Sequence, residues 1–196
     1  MNQNKIVVTG SIASGKSTLI DLLKQKGYFV ISADEINKDL LKEDNKNYLA
    51  IRNSQLFDEA FDNNFLDKKK LAQIIFSNPI KRNQLNILTH RNIISEIERQ
   101  IRLSKSKCVF IEIPLFFQME IKFDCDYVWL VDANREIQID RLMKRDRIDK
   151  KYAIKKIENT DLKKIMYDNS NVVFDNSGNK DYLLDQLNVE LEKMEC

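Results

Sequence analysis

Apolar residues fall along this chain in two rhythms. Short β-branched runs, KIVV (Lys5 to Val8) and YFVI (Tyr28 to Ile31), flank the segment KSTLIDLLKQK, in which Leu19, Ile20, Leu22 and Leu23 recur at helical spacing. Gly27 supplies a helix stop before the second run. Two such strands joined through a helix make a βαβ unit, because parallel strands need the helix as a crossover. Strand-like runs return at CVFIEI (Cys108 to Ile113), YVWLV (Tyr127 to Val131) and NVVF (Asn171 to Phe174). Amphipathic helices, REIQIDRLMKR and YLLDQLNVELEKM, follow the second and third of these. Near-continuous apolar strands alternating with helices predict an α/β fold with a parallel sheet covered on both faces.

From Asp34 to about Ser106 the strand rhythm is lost and the segment reads as inserted helices. A long one is opened by SNP (Ser77 to Pro79), where proline suits the first helical position. Residues 147–168 are charged and weakly apolar, so they are expected to add little core and to move as a lid. The expected organisation is one folding unit of 196 residues: a core of residues 1–33, 107–146 and 169–196, an insertion at 34–106 and a lid at 147–168.

Charge narrows the functions. Lys plus Arg total 32 and Asp plus Glu 30, so the net charge of +2 gives no strong basic field to hold nucleic acid, and a dedicated nucleic-acid binder is disfavoured. Cys108, Cys125 and Cys196 are odd in number and form no CxxC pair, which suggests reduced thiols and a cytoplasmic setting. No apolar run approaches the roughly 18 to 20 residues of a membrane span, and MNQNK lacks the apolar core of a signal peptide.

The chemistry begins at TGSIASGKSTL, residues 9 to 19. Gly10, Gly15, Lys16 and Ser17 fit G-x-x-x-x-G-K-[ST] between a predicted strand and a predicted helix. Glycines let the backbone curl so that N–H groups point inward, and the helix N-terminus adds positive potential. Lys16 is expected to bridge the outer phosphates and the Ser17 hydroxyl to coordinate Mg²⁺. The loop points to a nucleoside triphosphate but leaves the acceptor open. A guanine-specific NKxD box is absent, since INKDLL (Ile36 to Leu41) places Asp39 one position early. VFIEIP ends in Glu112, Ile113 and Pro114 rather than in the paired acids of a helicase. A kinase for a small acceptor is favoured, with an ATP-dependent switch or binding module as the alternative.

Asp34 follows the second strand, where a carboxylate can orient an acceptor hydroxyl and take its proton; it equally suits a helix N-cap. Arg141 and Arg145, four apart on one helix, are placed either to face the transferring phosphates or to form a solvated basic face. His90 is the only histidine and has no partner spacing for a metal. DKKKL (Asp67 to Leu71) reads as solvated charge, and Phe116 and Phe117 as core.

Taken together, these residues resemble the dephospho-coenzyme A kinase family over nearly the whole chain. TGSIASGKST is similar to that family's TGGIGSGKST, ISADEI to DADxI, IEIPLFF to DIPLLFE, RLMKRD to RLxxRD and FDNSG to IDNSG. The resemblance implies a three-layer P-loop kinase fold with an inserted helical substrate domain and a mobile helical lid. It also implies transfer of a phosphoryl group from ATP, with Mg²⁺, to the ribose 3′-hydroxyl of dephospho-coenzyme A. By position, Asp34 and Lys16 become the expected catalytic residues. Thr9, Ile12, Ala13, Ser14, Gly15, Lys16, Ser17, Thr18, Arg141, Arg145, Asn176, Ser177 and Gly178 are expected to bind ATP. Asp34, His90 and Leu115 are expected to meet the acceptor, Ser17 the metal, and the chain is expected to act as a monomer. This sequence departs from the family pattern at Ala13, Ser32, Arg91, Glu112 and Gln118, and its lid offers Lys150, Lys151, Lys155, Lys156, Lys163 and Lys164 in place of arginines.

Overall fold

The structure is a computed structural model that describes residues 3–119, 121–159, 162–194 and 196. The chain forms two compact units, one of residues 1–31 and 104–196, the other of residues 32–103.

The first unit is built on strands β1 (Asn4–Gly10), β2 (Phe29–Ser32), β5 (Cys108–Glu112), β6 (Tyr127–Asp132) and β7 (Val172–Asp175), ordered β2-β5-β1-β6-β7. β1 pairs in parallel with β5 and β6, and β6 with β7; Val8 stands opposite Glu112 on one side and Trp129 on the other. Its helices are α1 (Lys16–Gln25), α6 (Arg135–Asp146), α7 (Lys150–Glu158), α8 (Lys163–Asp168) and α9 (Lys180–Lys193). Alternate residues of each strand build one core. Ile6, Val8, Phe110, Trp129, Val131 and Phe174 pack with Leu19 and Leu23 of α1 and with Leu183, Leu187 and Leu191 of α9, spaced one helical turn apart. The rings of Tyr28, Phe110, Trp129 and Phe174 form a row across the strands, with centroids 5.4, 5.2 and 5.0 Å apart. Val7, Val109, Ile111, Val128 and Leu130 are buried on the opposite face, which explains why the strands read as unbroken apolar runs. Gly27, at φ +84°, ends α1: its N–H reaches the Lys24 carbonyl and that of Tyr28 the Leu23 carbonyl, so two orphan carbonyls are satisfied.

The second unit holds α2 (Ala33–Leu40), α3 (Lys46–Ser54), β3 (Phe61–Asp62), β4 (Phe65–Leu66), α4 (Lys68–Ser77) and the 25-residue α5 (Pro79–Leu103). Proline opens α5 as expected, and the Asn78 side chain caps it by accepting from Ile80 and Lys81 N–H. Three helices are joined through a polar relay. The fully buried Asn47 of α3 donates to Asn37 of α2 at 2.9 Å and accepts from Asn92 of α5 at 2.9 Å. Tyr48, Ile51, Phe57, Ala60, Leu66 and Leu71 form its apolar centre.

Several expectations need correction. The insertion is not purely helical, because Asn63 at φ +53° turns a two-stranded hairpin, and asparagine tolerates that left-handed conformation. Asp67 is not idle charge; it caps α4 by accepting from Lys69 and Lys70 N–H. The segment expected to add little core does contribute: Ala153, Ile157 and Met166 are buried, the first two packing with Ile139 and Leu142 of α6. Thr160 and Asp161 of that segment lie outside the described residues. Cys108 and Cys196 form a disulfide across 88 residues, so the reading of reduced thiols fails for that pair. Only the packing of the chain end against β5 brings them together. Among the described residues no helix is long and apolar enough to cross a membrane.

Candidate active site

β1 ends at Gly10 and α1 begins at Lys16, so the intervening loop lies at the carboxyl edge of the central strand. Its curl is set by positive φ at Ala13 (57°) and Gly15 (83°). A Cβ at Gly15 would sit 2.0 Å from Asn176 Nδ2, and one at Gly10 2.5 Å from the Val131 carbonyl oxygen. Both positions therefore require glycine for space, and Gly15 for conformation as well. The loop's carbonyls are taken up by neighbours. Asn176 Nδ2 donates to Ser14 O at 2.8 Å, and Arg141 donates to Ser14 O at 3.1 Å and to Asn176 O at 2.9 Å. The first-turn N–H groups of α1 are the ones a helix offers to an anion.

Residues 11 and 13–18, Glu112, Arg141 and Arg145 line a cavity of about 440 Å³. Lys16 Nζ stands 3.9 Å from Glu112 Oε1, and both side chains are largely buried. The two arginines expected to act together do line one cavity but are held differently. Arg141 is committed to backbone carbonyls, whereas Arg145 Nε donates to Asp146 at 2.8 Å. Lys156 of α7 also reaches Asp146, at 2.7 Å. Arg145 first, and Lys156 after it, bring the Asp146 carboxyl down to about 2. Thr9 is fully buried and donates to the Pro114 carbonyl at 3.3 Å. Ser177 accepts from Asn134 N–H at 2.7 Å, fixing the turn after β7 beside the start of α6. Tyr182 lies 3.1 Å from where a Cβ on Gly178 would be. Ile12 and Ala13 pack against the α6 and α7 cluster.

Asp34 and His90 belong to the second unit, Asp34 exposed in the first turn of α2 and His90 half-buried in α5. The capping role open to Asp34 is filled by Ser32, whose hydroxyl accepts from Glu35 N–H at 3.4 Å. Leu115 is exposed in the loop after β5.

Sequence reasoning missed Ser11, Asp132, Gln138 and Tyr167. Asp132 ends β6 and is 7% exposed. Its Oδ1 accepts from Ser11 Oγ at 3.1 Å and Gln138 Nε2 at 3.2 Å. Its Oδ2 accepts from the Tyr167 hydroxyl at 2.6 Å and faces Lys163 Nζ at 2.9 Å. Burial opposes ionisation of Asp132, but the hydrogen bonds from Tyr167, Lys163 and the Ala133 N–H outweigh it and hold the carboxyl below its ordinary range. Burial first and Asp132 second push the Tyr167 hydroxyl up to about 12. The available signal was a carboxylate closing the apolar run YVWLV.

A phosphate-binding loop between the central strand of a parallel sheet and α1, with a lysine and two arginines on one cavity, defines a P-loop kinase. The dephospho-CoA kinase family profile matches residues 5–181. A dephospho-CoA kinase of Staphylococcus aureus is 36% identical, covering 96% of this chain and 92% of that protein. Among solved structures, TT1252 from Thermus thermophilus superposes with a TM-score of 0.83 and the dephospho-CoA kinase of Campylobacter jejuni with 0.70. Each is 25% identical, with 98% of both chains covered. This chain belongs to the dephospho-CoA kinase family.

Proposed function

We propose that this protein transfers the γ-phosphoryl group of ATP to the ribose 3′-hydroxyl of dephospho-CoA, giving CoA and ADP. The observation that carries the reading is the glycine-dependent loop and its lysine- and arginine-lined cavity in a chain of this family. The 3′-oxygen attacks the γ-phosphorus as the bond to the β,γ-bridging oxygen breaks, and the hydroxyl proton passes to the Asp34 carboxylate. Lys16, Arg141 and Arg145 offset the charge that spreads over the phosphoryl oxygens. The backbone of residues 12–18 cradles the phosphates, Thr9 braces that loop, and Asn176, Ser177 and Gly178 flank the nucleotide. His90 and Leu115 are assigned to the acceptor.

The residues present fit Mg²⁺. Mg²⁺ takes oxygen donors, most of them substrate phosphates and water, and Ser17 and Glu112 bring oxygens to the loop cavity. The Ser17 hydroxyl would hold it, with Glu112 beside Lys16 as the nearby carboxylate. When bound, the ion neutralises charge on the β- and γ-phosphates.

The test is ADP release from ATP and Mg²⁺ with dephospho-CoA, adenosine or nucleoside monophosphates as acceptors. Stimulation by dephospho-CoA alone, with CoA as product, is expected. Equal or greater stimulation by another acceptor would reassign the substrate, and release that needs no acceptor would point to a switch.

A further inference from the structure

The Asp132 carboxylate divides its two oxygens between two parts of the first unit. Oδ1 serves the phosphate-loop residue Ser11 and Gln138 of α6, and Gln138 Nε2 also donates to Ser11 Oγ at 2.6 Å. Oδ2 serves α8, through Tyr167 and Lys163. These groups surround a small cavity of about 80 Å³ beside the loop, distinct from the one that Lys16 lines. A carboxylate 7% exposed at the end of a buried strand is costly to place there unless its partners satisfy it, and here both oxygens are satisfied. Its own backbone is fixed too, since the Asp132 carbonyl accepts from Asn176 N–H at 2.8 Å. Asn176 in turn holds the Ser14 carbonyl of the same loop. Loop and α8 are therefore referred to one rigid point.

We propose that Asp132 is a positioning residue that couples the phosphate loop to α8: Oδ1 braces the loop through Ser11 while Oδ2 holds α8 through Tyr167 and Lys163. It touches no reacting atom. Loosening one side loosens the other, so a change in the loop alters the docking of a helix that the loop residue Ser11 does not itself bond. The proposal rests on the loop's being the ATP site, and it concerns ATP rather than the acceptor.

A double-mutant cycle tests it in the full chain. Ser11→Ala, Tyr167→Phe and the pair are assayed for binding of a non-hydrolysable ATP analogue and for the rate of tryptic cleavage at Lys163 and Lys164 of α8. Ser11→Ala removes the bonds to Asp132 and from Gln138, Tyr167→Phe the one to Asp132, and each is expected to weaken analogue binding about three- to tenfold. The pair is expected to fall short of the product of the singles by at least about threefold. Ser11→Ala is expected to speed cleavage at Lys163 and Lys164 although Ser11 bonds nothing in α8, a response that a purely local role for Ser11 would not give. Multiplying single effects, or wild-type cleavage in Ser11→Ala, would overturn the coupling. Should Tyr167→Phe fail to fold, the Ser11→Ala cleavage rate decides alone. Wild type that binds the analogue but shows no dephospho-CoA-dependent turnover would refute the acceptor assignment and leave the coupling to be judged on its own data.

Discussion

Gly15→Ala is the substitution whose cost the structure defines best. An alanine at φ +83° meets the left-handed penalty of about 1–2 kcal/mol. Its Cβ would also lie 2.0 Å from Asn176 Nδ2 and 3.1 Å from Arg141 Nη1. Asn176 is 4% exposed, so displacing its amide forfeits the 2.8 Å bond to Ser14 O and leaves a buried donor unpaired, which costs about 1–3 kcal/mol. The two effects together come to about 2–5 kcal/mol against the binding-competent loop, or roughly 30- to 4,000-fold in ATP affinity. Because the loop can relax locally, the loss of global stability is expected to be smaller. Titration calorimetry with a non-hydrolysable ATP analogue, beside thermal unfolding, measures both quantities. The clash is separable from the backbone penalty: Asn176→Ala removes the obstructing amide, so the double variant should bind less weakly than the product of the singles predicts. ATP affinity within about threefold of wild type in Gly15→Ala would refute the whole account.

Asp34→Asn is expected to lower kcat by roughly 10²- to 10⁴-fold with ATP binding retained, whereas Lys16→Ala should damage ATP binding as well; undiminished turnover in the first would remove Asp34 from the chemistry. The Asp132 carboxyl is depressed in the folded state, so its contribution to stability is present above the unfolded value near 3.9 and is lost as pH falls through the lower folded value. Tyr167 is raised to about 12, so its contribution is complete below the ordinary tyrosine value of about 10 and lost as pH climbs toward 12. Spectrophotometric titration should show a tyrosine step near pH 12, and Tyr167→Phe should delete it; an unchanged curve would contradict the Asp132 contact. Reductant should open the Cys108–Cys196 bond at a cost of about 2–4 kcal/mol, lowering Tm by roughly 4–16 °C, while Cys196→Ser should be indifferent to reductant. An equal Tm with and without reductant in wild type would exclude a stabilising bridge.

Local chemistry made much of this protein legible in its sequence. Unbroken apolar runs can satisfy their backbone and bury both faces only in a covered sheet, and glycines spaced around GKS have few uses other than a phosphate cradle. Proline before a helical repeat marked the start of α5, and Gly27 the end of α1. Tertiary structure decided what depends on partners distant along the chain. The charged helix α7 conceals Ala153 and Ile157, two apolar residues whose burial follows from where α6 lies. Two cysteines 88 residues apart meet only because the chain end returns to β5. Asp34 was left free of capping by Ser32, a residue whose hydroxyl is equally suited to that task. Asp132 was the least visible of all, since its role is set by Ser11 121 residues before it and Tyr167 35 residues after it. A carboxylate at the end of a strand has no meaning until the fold supplies its donors.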